Sequence, residues 1–192
     1  MRICVFCGSS PGHNSQYMAA ARHLGSLLAD RGIGLVYGGA SVGLMGALAD
    51  AVMDKGGEVI GVMPQGLVDF EVAHHRLDDL RIVGSMHERK ALMADLSDAF
   101  IALPGGIGTL EETFEMLTWA QLGFHPKPVA LLDIGGFYIK LIGFLDHVVE
   151  AGFLRPEHRS ILMCEPDTET LLSRIKTYKP PKLEKWINRE QT

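Results

Sequence analysis

Short apolar runs alternate with longer amphipathic stretches from one end of this sequence to the other, each run bounded by Gly, Pro, Asp or Glu. That alternation predicts a three-layer α/β fold, a central parallel sheet of about seven strands flanked by helices. Two observations reinforce it. Most strand candidates are followed by a helical pattern, which implies right-handed crossovers between parallel neighbours. Glycine, 22 of 192 residues, clusters in short loops where a strand hands over to a helix.

The elements follow in order. Ile3–Cys7 is a five-residue apolar strand. Its Cys4 and Cys7 match the C-x-x-C spacing of a redox pair, but residues three apart on a strand face opposite sides, so they are read as core cysteines. A helix spans Ser15–Asp30, then come the strand Gly34–Tyr37 and the helix Leu44–Lys55. The uncharged run Gly32–Ala49 reaches the nominal length of a membrane span. It holds six glycines, however, and divides into a strand, a loop and a helix start, so it is read as part of a soluble domain. Strands Val59–Met63 and Leu80–Val83 precede the helix Met86–Leu96, and Ala99–Leu103 leads to Leu110–Leu122. After the strand Val129–Leu132, the helix Phe137–Ala151 is apolar on more than one face, which predicts either deep burial or a subunit contact. The strand Ile161–Cys164 and the helix Thr168–Thr177 complete the series. No composition shift or repeat divides residues 1–178, which read as a single domain. Lys179-Pro180-Pro181-Lys182 closes the last helix, and residues 179–192 read as a C-terminal extension.

Composition narrows the function. Eighteen Lys and Arg against 23 Asp and Glu give a net charge of −5, without the basic balance that accompanies nucleic-acid binding. Three cysteines are too few, and odd in number, for a secreted disulfide framework, which fits a reducing cytoplasm. The N-terminal apolar run is shorter than an export signal requires. Neither a membrane nor a nucleic acid is expected as partner.

In an open parallel sheet, ligands bind outside the carboxyl ends of the strands, and four such ends carry unusual loops. Gly8-Ser9-Ser10-Pro11-Gly12 and Gly38-Gly39-Ala40-Ser41-Val42-Gly43 could each cradle an anion with backbone N–H groups, or simply permit a tight reversal. Pro104-Gly105-Gly106-Ile107-Gly108-Thr109-Leu110-Glu111-Glu112 sets glycines just before a helix, with Thr109 and Glu112 matching a T-x-x-E capping box. A phosphate is favoured at such a helix N-terminus. By spacing, Glu112 is equally a cap or a catalytic carboxylate, and Glu111 and Glu115 could be a solvated face. The fourth loop, Ser85-Met86-His87-Glu88-Arg89-Lys90, matches a second capping box at Ser85 and Glu88. It would place two cations in a first helical turn, against the helix dipole. A local rule broken at a ligand-facing strand end is where function is expected; the alternative is a surface charge cluster answered by Glu88 and Asp95. No G-x-S-x-G elbow is present, and His74-His75 and His87 lack metal-ligand spacing.

These motifs together resemble the LONELY GUY (LOG) family of cytokinin riboside 5′-monophosphate phosphoribohydrolases, long mislabelled as lysine decarboxylases. The resemblance rests on Val5-Phe6-Cys7-Gly8-Ser9-Ser10, on Tyr37-Gly38-Gly39 with Gly43-Leu44-Met45-Gly46, on Ser85 to Lys90, and on P-G-G-x-G-T-x-x-E from Pro104 to Glu112. It implies a Rossmann-like fold, a homodimer or higher homo-oligomer, and hydrolysis of the N-glycosidic bond of an adenine-type nucleoside 5′-monophosphate to a free base and ribose 5-phosphate, with no cofactor. It also implies that Arg89 and Glu112 are the catalytic pair. Glu71, Lys90, Gly105, Gly106, Ile107, Gly108, Thr109, Leu110, Glu111 and Thr118 would contact the substrate, with Gly8, Ser9, Gly38 and Gly39 from the first two loops. Ala40 departs from the third consecutive glycine of many members.

Physical chemistry supports the same roles. Breaking the ribose C1′–N9 bond builds positive charge on the sugar, so a carboxylate near C1′ stabilises that charge or activates the attacking water. Arg89 would orient that carboxylate or bind the phosphate, and the phosphate held by Gly105–Thr109 would fix the ribose. The competing reading is a nucleotide or molybdenum-cofactor carrier of the same fold, which needs the anion nest but no carboxylate beside C1′. A pyridoxal-phosphate decarboxylase lacks a lysine in a Schiff-base setting.

Overall fold

The chain enters the molecule at its centre. Strand β1 (Arg2–Phe6) is the middle strand of a seven-stranded sheet of order β4-β3-β2-β1-β5-β6-β7, every neighbouring pair parallel. This computed structural model describes residues 1–68 and 73–181. From β1 the chain moves outward through β2 (Gly34–Tyr37), β3 (Val59–Pro64) and β4 (Asp79–Val83). It then crosses back to build β5 (Ala99–Ala102), β6 (Val129–Leu132) and β7 (Leu162–Glu165) on the other side of β1. The strand order therefore reverses between β1 and β5, and the loops after those two strands flank the crevice where such sheets bind ligands.

Helices α1 (Ser15–Asp30), α2 (Gly43–Met53) and α8 (Thr168–Lys176) cover one face of the sheet, with Leu24, Leu28, Leu48 and Leu171 packed on Ile3, Val5 and Leu35. Helices α4 (Met86–Leu96), α5 (Ile107–Leu122) and α6 (Ile139–Glu150) cover the other, where Met93, Met116 and Leu145 meet Cys4, Phe6 and Phe100. Each large apolar side chain so buried contributes about 1.5–3 kcal/mol. The inner strands read as continuous apolar runs because both of their faces are covered, whereas the edge strand β4 carries Asp79 and Arg81 and has no fully buried residue. Cys4 and Cys7 fall into the two opposite layers and are unlinked, as alternation along a strand requires. Burial pushes both thiols well above the usual cysteine range. Gly32–Ala49 resolves into β2, a loop and the start of α2, and no helix among the described residues is long and apolar enough to cross a membrane.

Two single-turn helices, α3 (Gln65–Val68) and α7 (Pro156–Arg159), were not expected. The helix expected over Phe137–Ala151 begins two residues late. Gly135 (φ 63°) and Gly136 (φ 75°) take the left-handed conformation in a short 3-10 turn, and the Tyr138 N–H donates to Asp133 Oδ1 at 2.6 Å. Deep burial of this helix is ruled out, because α6 buries Leu145 but leaves Ile139 and Phe144 about 60% exposed (64% and 61%). Of the expected C-terminal extension, residues 182–192 lie outside the described residues.

Candidate active site

Helix α4 opens as its capping pattern predicts. The Ser85 Oγ accepts the Glu88 N–H at 3.1 Å, while the Glu88 carboxylate reaches one residue beyond the cap and accepts the Gly84 N–H at 2.7 Å. The next two residues turn inward. Arg89 and Lys90 share the buried face of α4 with Met93 and Ala94, one turn further on, whereas Met86, His87 and Glu88 are exposed. The surface-cluster alternative fails on this observation. Arg89 Nε donates to the Val62 carbonyl of β3 at 3.0 Å, and Arg89 Nη1 donates to Glu112 Oε1 at 3.0 Å, with about a tenth of each side chain exposed. Gly38 makes room for this guanidinium: a side chain there would bring its Cβ within 2.3 Å of Arg89 Nη2.

Helix α5 departs from its expected start. Its N-cap is Gly106, without a side-chain cap, and Ile107 is its first residue, so Thr109 is buried inside the first turn. The Thr109–Glu112 capping box is therefore wrong. A start three residues earlier carries Glu112 into the second turn, where it meets Arg89 across the gap between α4 and α5. The helix end is left open. Apart from their own chain neighbours and helix backbone, no atom among the described residues stands within 4 Å of where Gly106 or Gly108 would carry a Cβ, and Ile107 is 82% exposed. Unpaired N–H groups at such an uncapped terminus favour an anion.

The other loops lock this end in place. The Gly8 N–H donates to the Pro104 carbonyl at 3.1 Å and the Gly8 carbonyl accepts the Leu44 N–H at 3.0 Å, so both polar groups of Gly8 join loops. Gly43 (φ 58°) lies against the Ser9 backbone, and Gly105 against Thr109 Oγ1 and the Gly8 nitrogen, each too close for a Cβ. Gly39 (φ 82°) accepts the His74 N–H at 3.0 Å, and the buried Ala40 bridges to Ala73. Glu71 lies outside the described residues. His74 is held in turn, its Nε2 3.3 Å from Asp50 Oδ1.

The second cation has two partners. Lys90 Nζ donates to Glu111 Oε1 at 2.5 Å and lies 3.0 Å from Glu115 Oε2, so these carboxylates form a bridge to α4 in place of the solvated face that spacing allowed. Burial opposes the lysine charge, but the hydrogen bonds to Glu111 and Glu115 outweigh it and hold its pKa above the usual lysine value. Leu110 is half-buried beside this row. Thr118 continues the row about two turns beyond Glu111, exposed, its Oγ1 donating to the Phe114 carbonyl at 2.7 Å. Sequence reasoning missed Glu115 and the Val62 carbonyl. Two carboxylates one turn apart, opposite a helix with inward cations, were the signal for Glu115, while a backbone acceptor leaves none.

Residues 45–175 match the family described as "Possible lysine decarboxylase". A protein named "Probable cytokinin riboside 5'-monophosphate phosphoribohydrolase LOGL5", from Oryza sativa subsp. japonica, is 53% identical over 94% of this chain and 73% of its own length. The chain belongs to this LOG family. The cytokinin riboside 5'-monophosphate phosphoribohydrolase LOG3 of Arabidopsis thaliana is 51% identical over 93% of this chain and 83% of its own. Among solved structures, the molybdenum cofactor carrier protein of Chlamydomonas reinhardtii superposes with a TM-score of 0.68 over 92% of this chain and 96% of its own. At 23% identity that likeness shows the shared fold alone. In this LOG-family chain the P-G-G-x-G-T-x-x-E signature coincides with the open end of α5 and the inward carboxylate of Glu112.

Proposed function

We propose that this chain hydrolyses the N-glycosidic bond of cytokinin riboside 5′-monophosphates and of AMP, releasing the free base and ribose 5-phosphate. The observation that carries the reading is the buried Arg89–Glu112 pair at 3.0 Å, at the crevice where the strand order reverses and beside the open N-terminus of α5. The 5′-phosphate sits on the N–H groups of Gly106 to Gly108, which fixes the ribose and directs C1′ toward Glu112. As the C1′–N9 bond breaks, its electron pair leaves with the base and positive charge grows on the sugar. Glu112 stabilises that charge and accepts a proton from the attacking water, whose oxygen bonds to C1′. The departing base takes up a proton at nitrogen. Arg89 fixes the carboxylate in position through Nη1 while its Nε is anchored on β3. A carrier would use the nest and leave this pair idle.

The LOG relatives are named for cytokinin riboside 5′-monophosphates, which supports those nucleotides as substrates; AMP enters the proposal because the phosphate nest and the Arg89–Glu112 pair act on the phosphoribosyl part of the nucleotide. We also infer a homodimer in the cytoplasm, with the exposed face of α6 around Ile139 and Phe144 as the subunit contact. Incubating the purified protein with AMP, isopentenyladenosine monophosphate and adenosine, and measuring free base, tests the reaction. Base is expected from both nucleotides and far more slowly from adenosine. Equal rates on AMP and adenosine would remove the phosphate nest from the mechanism, and no base from either nucleotide would remove the hydrolase.

A further inference from the structure

Lys90 stands between two carboxylates that differ in their access to solvent. The Glu111 side chain is 50% exposed, the Glu115 side chain 22% and the Lys90 side chain 8%. Glu115 Oε2 is itself buried and makes no close hydrogen bond among the described residues, so the Lys90 ammonium 3.0 Å away faces it as an ion-pair partner. Glu111 and Glu115 lie one turn apart on α5, where like charges repel, and Lys90 reconciles them from α4. The pair Arg89–Glu112 holds the two helices together on the inner side of this bridge.

The two partners cannot serve alike once a substrate arrives. Glu111, half exposed, adjoins Glu112 and the open helix end, where it can release Lys90 for a ribose hydroxyl, whereas Glu115 is set back one turn and mostly buried. A lysine with a long flexible stem and no fixed counter-ion leaves a buried position for solvent. We propose that Glu115 is a positioning residue of the active site, the fixed counter-ion that keeps the Lys90 ammonium between α4 and α5 while Glu111 exchanges it for the substrate. The inference rests on the nucleotide-hydrolase reading for the identity of that substrate.

The test is a double-mutant cycle on wild type, Glu115→Ala, Lys90→Met and the double variant, with steady-state kinetics on AMP and thermal melts. Glu115→Ala is expected to raise KM about tenfold, in the range of coupled neighbours, with kcat changed by less than about threefold. Glu115→Gln, which keeps an acceptor for the ammonium, recovers most of that loss. In the Lys90→Met background neither change at position 115 raises KM further. A KM unchanged in Glu115→Ala, or an equal rise with and without Lys90, overturns the inference. If Glu115→Ala does not fold, a small rise in KM for Glu115→Gln that vanishes in the Lys90→Met background supports it, and a rise of equal size in both backgrounds overturns it. If the wild type releases no base, the hydrolase reading falls by itself, and the same cycle is read as the Kd for AMP by calorimetry.

Discussion

The two faces of the sheet are made from the same strand-and-helix units but are closed by different forces. Over one face α1 and α2 lie in direct contact, so close that a Cβ on Gly25 would fall 2.5 Å from the Leu48 carbonyl oxygen and 2.9 Å from the Ala51 Cβ. Leu24, Leu28, Leu48 and Val52 fill the space beneath them. Over the other face α4 and α5 are joined by long charged side chains, Arg89 to Glu112 and Lys90 to Glu111 and Glu115. Apolar packing of small residues gives a scaffold that tolerates no gap. Ion pairs between helices leave charged groups poised beneath the strand ends, at the expense of stability, because a buried pair stabilises less than its Coulomb attraction suggests.

That difference is broken most severely at the charged face. Glu112→Gln should lower kcat by about 10²–10⁴-fold, the usual worth of a positioned acid–base group, and should destabilise the fold less than Arg89→Ala does, because the amide keeps an oxygen for Arg89 though not the charge that offsets its guanidinium. Arg89→Ala should lose turnover to a similar degree and also destabilise the fold by about 3–5 kcal/mol, since a buried ion pair then loses one of its two charges. Urea titration with kinetics on the same samples checks both. Turnover retained in either variant would detach the pair from the chemistry.

Gly38 probes the same face from the neighbouring loop. A methyl group there would meet Arg89 Nη2 at 2.3 Å, so Gly38→Ala must displace the end of the guanidinium. A shift of that kind is expected to lower kcat about 10–100-fold. Kinetics at wild-type levels of soluble protein would show that Arg89 relocates without consequence.

On the scaffold face the same kind of change should do the reverse. Gly25→Ala inserts a carbon against backbone atoms of α2, which are not free to move as a side chain is. A loss of about 1–3 kcal/mol is expected, as for overpacked cores, with kcat/KM unchanged at temperatures where the protein is folded. A parallel loss of activity would mean that the α1–α2 contact also sets the loops after β1 and β2.

Much of this was legible from residue order, and the exceptions have physical causes. Strands covered on both faces appear as unbroken apolar runs, which is why the inner strands are legible to within a residue or so of their ends, and the part-exposed edge strand β4 shows itself by Leu80, Ile82 and Val83. The four-residue helices α3 and α7 are too short to show a period. Helix α5 was misread at its start because Thr109 and Glu112 have the spacing of a cap, while the carboxylate is committed to a cation on another helix. The glycines of the first two loops allow either an anion cradle or a tight reversal. Gly8 and Gly43, with Gly105 of the third loop, let loop press on loop, a tertiary demand that local pattern does not reveal. Arg89 and Lys90 stood out because they oppose the dipole of their own helix, and the structure shows the compensation in carboxylates from α5.

The smallest expected effect separates the capping of α4 from its cargo. Ser85→Ala removes the oxygen that accepts the Glu88 N–H, a bond worth about 1 kcal/mol at such positions. Arg89 is the first residue of α4 whose N–H closes onto the Ser85 backbone carbonyl, at 3.0 Å, so fraying of the cap starts next to the Arg89–Glu112 pair. The inward face, however, is held independently by Val62, Glu112, Glu111 and Glu115. The variant should therefore melt a few degrees lower, by the usual relation between stability and melting temperature, with kcat/KM within about twofold of wild type. A loss of activity well beyond that, at a temperature where the protein is folded, would show that the ion pairs do not position Arg89 unaided and that the charged face depends on its cap as the apolar face depends on its packing.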